Sequence, residues 1–149
     1  MDIWKPHVTV ASVLEQDGKF LLVEEEADGR VVYNQPAGHL EANESPIAGA
    51  ARETREETRY DFLPEALLGV YRWCKPDSDI TYLRFAFTGR LTGHDPTRPL
   101  DSGILRPVWL SRDEVAALGD ALRSPLVLRC IDDYLAGRRY PLELLTEMV

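Results

Sequence analysis

Cysteine is scarce in this chain, with two in 149 residues. Cys74 and Cys130 stand far apart without a CxxC companion, which excludes a disulfide framework and a thiolate zinc site. Both lie in apolar patterns, so buried, reduced thiols are expected. No apolar run approaches the ~18 residues of a membrane-spanning helix. The N-terminal MDIWKPHVTV lacks the basic region and apolar run of a secretory leader. A cytoplasmic location without a membrane partner follows as the expectation. Positive charge is also short, 17 Lys and Arg against 25 Asp and Glu, for a net charge of −8. That balance argues against a nucleic-acid-binding surface, which needs clustered cations. It would also repel a phosphorylated substrate unless metal cations intervened. Repeats, low-complexity tracts and composition shifts are missing too, so one domain over residues 1–149 is expected.

What is present begins with short strand patterns. Val8 to Leu14 and Phe20 to Glu26 read as strands joined across Gln16-Asp17-Gly18, and Asp28-Gly29 turns into a strand from Val31 to Asn34. Lys5, His7 and the acids Glu24 to Glu26 fall at strand ends, His7 as a surface residue and Glu24 or Glu25 as an edge of a site. Gln35 to Glu44 reads as a loop carrying Pro36, Ala37 and Gly38. Further strands are expected at Ala66 to Trp73, Ile80 to Leu91 and Arg106 to Leu110, with a flexible connection from Gly93 to Gly103. Ser111-Arg112-Asp113-Glu114 is a capping box opening a helix through Leu118, and Ser124-Pro125 opens a last helix that Gly137 ends. Mixed strands with two or three helices define an α/β or α+β sandwich.

The chemistry concentrates between Gly38 and Tyr60. Ser45 and Pro46 start a helix that runs to about Thr58. At about 100° per residue, Ile47, Ala50, Ala51, Thr54 and Thr58 form a narrow face of small residues suited to a sheet. Glu53, Glu56 and Glu57 fall on the adjoining face, each like-charged pair costing a few tenths of a kcal/mol. Glu56 and Glu57 also sit in the last turn, where the helix dipole favours cations. Such a cluster is either a solvated face screened by Arg52, Arg55 and Arg59 or a site for cations. The preceding loop, at a fixed distance from the acids, favours the second.

Gly38, Glu44, Arg52, Glu53, Glu56 and Glu57 resemble the Nudix box, GX5EX7REUXEEXGU with U aliphatic. Thr54 departs from the aliphatic U, and Arg59 and Tyr60 from the final glycine and aliphatic. Arg59 at the helix end either adopts a left-handed exit costing about 1–2 kcal/mol, the favoured reading, or lets the helix run on. Outside the box, Lys5 to Ala11, Gly18 to Glu25, Asn34 to Glu44, Arg123 to Val127 and Arg139 to Glu143 are similar to a bacterial phosphatase branch of the same family. The resemblance implies the Nudix fold, a mixed, curved sheet sandwiched between helices.

It also implies a Mg²⁺-dependent phosphohydrolase, with Mn²⁺ as substitute, acting on nucleoside tri- and diphosphates with release of orthophosphate. The pyrophosphate of the thiamine pyrimidine precursor is a further substrate on this reading. Gly38 (through its carbonyl), Glu53, Glu56 and Glu57 are the implied metal ligands; Arg52 orients a glutamate, and Glu44 ties loop to helix. Glu57 or Glu56 is the first choice of general base and Asp101 the second, Asp101 otherwise being a turn residue. His39 is a substrate contact or structural. Arg84, inside an apolar strand, is an edge charge, a structural ion pair or a phosphate fork. An ADP-ribose-type pyrophosphatase and a silent ligand-sensing domain are the alternatives; the intact carboxylates count against the silent domain and the short chain against the pyrophosphatase. Monomer and homodimer are both open.

Overall fold

The computed structural model describes residues 1–149. Its strands in chain order are β1 (His7–Val13), β2 (Glu15–Gln16), β3 (Lys19–Ala27), β4 (Arg30–Asn34), β5 (Ala37–His39), β6 (Tyr60–Cys74), β7 (Thr81–His94) and β8 (Ile104–Ser111). The helices are α1 (Pro46–Thr58), α2 (Arg112–Ala117) and α3 (Leu126–Leu135). One sheet has the order β5-β1-β7-β6, with β1 and β7 parallel and the other pairs antiparallel. The second is built on β3, antiparallel to β2, β4 and β8.

Alternation along the strands divides the apolar side chains between two cores. Val10, Leu14, Leu21 and Phe87 pack with Ala50 of α1, while Val13, Phe20, Leu22 and Ala86 pack with Val115 of α2 and Val127, Cys130 and Ile131 of α3. Because β3 feeds both cores from successive residues, the two sheets act as one curved layer between α1 and the α2/α3 side. This is the expected mixed, curved sheet between helices. No helix is long and apolar enough to cross a membrane.

α1 begins as its residues dictate, with the Ser45 hydroxyl accepting from Ala48 N at 3.0 Å and Pro46 in the first turn. Thr54, in place of an aliphatic residue, is fully buried, donating to Ala50 O at 2.8 Å and meeting Ser12 Oγ at 2.8 Å. The helix ends at Arg59, whose φ of 70° is left-handed and whose N–H reaches Arg55 O at 3.0 Å. In α2, Ser111 and Glu114 form the expected reciprocal capping box.

Three expectations need correction. The turn at Asp17-Gly18, both at positive φ, joins β2 to β3, and β1 belongs to the other sheet beside β5 and β7. A turn signal fixes the local hairpin but not the sheet that the preceding run joins. Ala37–His39, read as loop, is the edge strand β5. Cys74 is exposed, although Cys130 is buried as expected. At the end of β6 the side chains alternate between half-buried and exposed, so an apolar neighbourhood in sequence does not enclose the thiol.

Candidate active site

Arg52 organises the loop before α1. Its Nε and Nη2 donate to the two carboxylate oxygens of Glu44 at 2.7 and 2.8 Å, a fork-to-fork pair. Its Nη1 donates to Glu53 Oε1 at 2.9 Å and Glu56 Oε2 at 3.1 Å, and Nη2 reaches His39 O at 3.2 Å. Glu44 also accepts from Glu41 N at 3.0 Å, so one ion pair fixes the loop, the helix and two of its acids together. Those hydrogen bonds hold the Glu44 carboxyl below the usual carboxylate range.

Glu53, Glu56 and Asp101 each offer one carboxylate oxygen, and the three oxygens lie within 4.8 Å of one another. Asp101 arrives there by its backbone, which donates to Glu56 O at 3.0 Å. Burial pushes Glu53 up against the opposing effect of Arg52, and burial and then Asp101 push Glu56 up. Two glutamates made harder to ionise by their surroundings, with the Asp101 carboxylate beside them, suit a divalent cation, and oxygen-only donors suit a hard one. Gly38 completes the cradle, because a Cβ there would lie 2.3 Å from Glu53 Oε1.

Glu57 is not one of those three acids but borders them, close enough for the Glu53 and Asp101 charges to act on it. It is buried, and its Oε1 accepts from Ala37 N at 2.9 Å. Burial pushes its carboxyl up to about 9, with the Ala37 N–H opposing and the Glu53 and Glu25 charges adding. Glu57, Gly38 and His39 line one end of a cavity of about 450 Å³ that continues past Thr9, Tyr82 and Arg84. Gly38 therefore stands where the cavity meets the carboxylates.

The other candidates fall as follows. His39 is exposed as a residue and meets His7 Nδ1 through Nε2 at 3.0 Å; desolvation, then His7 and Arg123, lower its pKa. Arg84 is buried but makes no ion pair, so neither an edge charge nor a structural ion pair describes it. Of the two strand acids, Glu24 pairs with Arg106, whereas Glu25 is buried, lines the cavity and accepts from Arg123 Nη1 at 2.6 Å. Asn34, Trp73 and Tyr82 also line the cavity, from β4, β6 and β7, and Arg123 joins them from the segment before α3, its backbone N–H donating to Tyr33 O at 2.8 Å.

The fold and this arrangement define a hydrolase of the Nudix type, a curved sheet carrying a carboxylate-bearing helix beside a substrate-sized cavity. The chain matches the NUDIX domain family over residues 4–130 and belongs to that family. It is similar to Phosphatase NudJ of Escherichia coli strain K12, 46% identical over 143 residues, which is 96% of this chain and 92% of the relative. A NUDIX hydrolase from Nitrosomonas europaea superposes with a TM-score of 0.94 at 52% identity, over 97% of this chain and 98% of its own. The NUDIX domain of Shewanella oneidensis NrtR, solved in complex with ADP ribose, shares the fold at a TM-score of 0.70 and 17% identity, over 89% and 90% of the two chains. The protein is thus a Nudix hydrolase of NudJ-like phosphatase type, acting on phosphoric anhydride bonds.

Proposed function

We propose that the chain is a Mg²⁺-dependent phosphohydrolase of nucleoside tri- and diphosphates and related small pyrophosphates, the thiamine pyrimidine precursor pyrophosphate among them, and that it releases orthophosphate. The observation that carries this reading is the convergence of Glu53, Glu56 and Asp101 next to a cavity lined by Gly38 and Glu57. Glu53, Glu56 and Asp101 would hold a divalent ion, with the Gly38 carbonyl and Glu57 as further ligands. When bound, the ion lowers the pKa of a water and neutralises phosphate charge.

The side chains supply position and a proton acceptor. Arg52 is a positioning residue that holds Glu53 and Glu56 by one guanidinium nitrogen. Glu57, oriented by the Ala37 N–H, faces the cavity and takes the proton of the attacking water. To serve as base it must be ionised, and positive charge at the neighbouring acids favours that form. Water oxygen then bonds to the terminal phosphorus, the bridging P–O bond breaks, and the shortened phosphate ester leaves with the bridging oxygen.

The test is a panel of nucleoside di- and triphosphates, ADP-ribose and small organic pyrophosphates incubated with Mg²⁺, scored separately for orthophosphate and pyrophosphate. Orthophosphate as the inorganic product from the nucleoside diphosphates supports the reading. Turnover confined to ADP-ribose, or pyrophosphate as the only inorganic product, overturns it.

A further inference from the structure

Arg84 is 4% exposed, yet every partner it has is neutral. Nη1 donates to Gln35 Oε1 at 2.8 Å and to Cys130 Sγ at 3.7 Å, and Nη2 donates to Asn34 Oδ1 at 3.0 Å. Gln35 is itself locked by donating from Nε2 to Val127 O at 2.8 Å, which turns its carbonyl oxygen toward the guanidinium. Arg84 is therefore held in place without being neutralised. A buried cation without a carboxylate is expensive to keep for structure alone. Five N–H groups less these three bonds leave Nε–H and one Nη2–H without a protein acceptor, on a residue that lines the cavity.

Register says what those two donors face. In the first sheet, His39, Thr9 and Arg84 form one cross-strand row, with Thr9 between the other two. His39 and Arg84 are thus two strand spacings apart, roughly 10 Å. The phosphate end of a substrate belongs beside Gly38 and His39, near the acids, so Arg84 meets the opposite end. Two residues back on the same strand and on the same face stands Tyr82, paired across to Trp73 with rings stacked at 5.8 Å and 17°. This aromatic floor lines the same cavity.

We propose that Arg84 is a specificity-determining residue that reads the substrate's heterocycle: its two free donors take a pair of adjacent acceptors on a planar ring lying against Tyr82 and Trp73. Guanine, with a carbonyl oxygen beside a ring nitrogen, and cytosine, with the same pair on its other edge, present such acceptors. Adenine and uracil set no two acceptors side by side. The inference rests on the hydrolase reading for the placing of phosphate, and it names the substrate class within it as diphosphates of acceptor-paired bases.

The experiment is calorimetric binding of GMP, CMP, AMP, UMP and inorganic phosphate to the Mg²⁺-loaded full chain. Binding is read without turnover, so failure of phosphate release and failure of this inference are separate results. GMP and CMP should bind about tenfold more tightly than AMP and UMP, the discrimination a bidentate arginine contact gives. Arg84→Gln should erase that preference and leave inorganic phosphate binding unchanged. Tyr82→Ala, on a half-buried wall, should weaken all four nucleotides by about tenfold and leave phosphate alone. Equal affinity for the four in the parent, no measurable binding included, overturns the proposal. So does an Arg84→Gln loss shared equally by all four nucleotides and phosphate, which would make Arg84 a phosphate clamp. Should Arg84→Gln fail to fold, the parent's preference and the Tyr82→Ala result decide the matter.

Discussion

Glu57 carries the sharpest consequence at the scale of single residues. In the metal-free protein its carboxyl is pushed from an ordinary 4.5 up to about 9. The folded state therefore keeps a proton that the unfolded chain releases between those values. The sign follows from linkage: the contribution is fully present below pH 4.5 and is lost as pH rises toward about 9. Glu57→Gln, which stays neutral, should flatten that slope in denaturation experiments run in EDTA, and an unchanged slope would remove the assignment. Mg²⁺ affinity should rise through the same window, since a ligand must shed its proton to bind. Gly38→Ala tests the cradle. Its Cβ would meet only the end of a flexible Glu53 side chain, so stability should fall by less than about 1 kcal/mol. Mg²⁺ affinity should drop by about 10- to 100-fold, measured by titration, because Glu53 must swing aside.

At the scale of elements, the end of α1 and the length of β6 show what can be read from sequence and what cannot. The left-handed exit was legible because Arg59 stands where the box has glycine, and its φ is 70°. Arg59→Gly relieves about 1–2 kcal/mol of strain but loses the Nε bond to Arg98 O at 2.6 Å. The net change in chemical denaturation should stay within about 1 kcal/mol, and a loss above about 2 kcal/mol would show that the side chain, not the backbone, holds this turn. The start of β6 was hidden by Pro64, which breaks a strand pattern. In the structure, register shifts flank Pro64 and let the strand continue from Tyr60. Gly89 makes this possible, since a Cβ there would lie 2.0 Å from Leu63 O. Gly89→Ala should cost about 3 kcal/mol, because backbone rather than a side-chain tip must move. A thermal melt close to the parent's would show that the bulge gives way freely.

For the whole molecule, the acidic composition and the position of the box already implied metal-assisted phosphate chemistry. The acids of α1 were visible because local spacing places them. The distribution of their roles was not, because it depends on long-range approach: Asp101 reaches Glu53 and Glu56 from the other side of the chain, while Glu57 turns to the cavity. Asn34, Tyr82 and Arg123 were unreadable for the same reason, as two strands and the segment before α3, all distant in sequence, bring them together. Because the net charge is −8, the proposed reaction calls for cations to admit a phosphorylated substrate. Removing them should stop turnover without unfolding the chain, since both cores are built of apolar side chains and include none of the acids. The most direct measurement is orthophosphate release from a nucleoside diphosphate by EDTA-stripped protein as Mg²⁺ is restored, with Glu57→Gln alongside and a thermal melt on each sample. The account predicts no release in EDTA, full recovery with Mg²⁺ in the parent, almost none in Glu57→Gln, and a folded protein throughout. Release in EDTA within a few-fold of the Mg²⁺ rate, or a Glu57→Gln rate near the parent's, would contradict it.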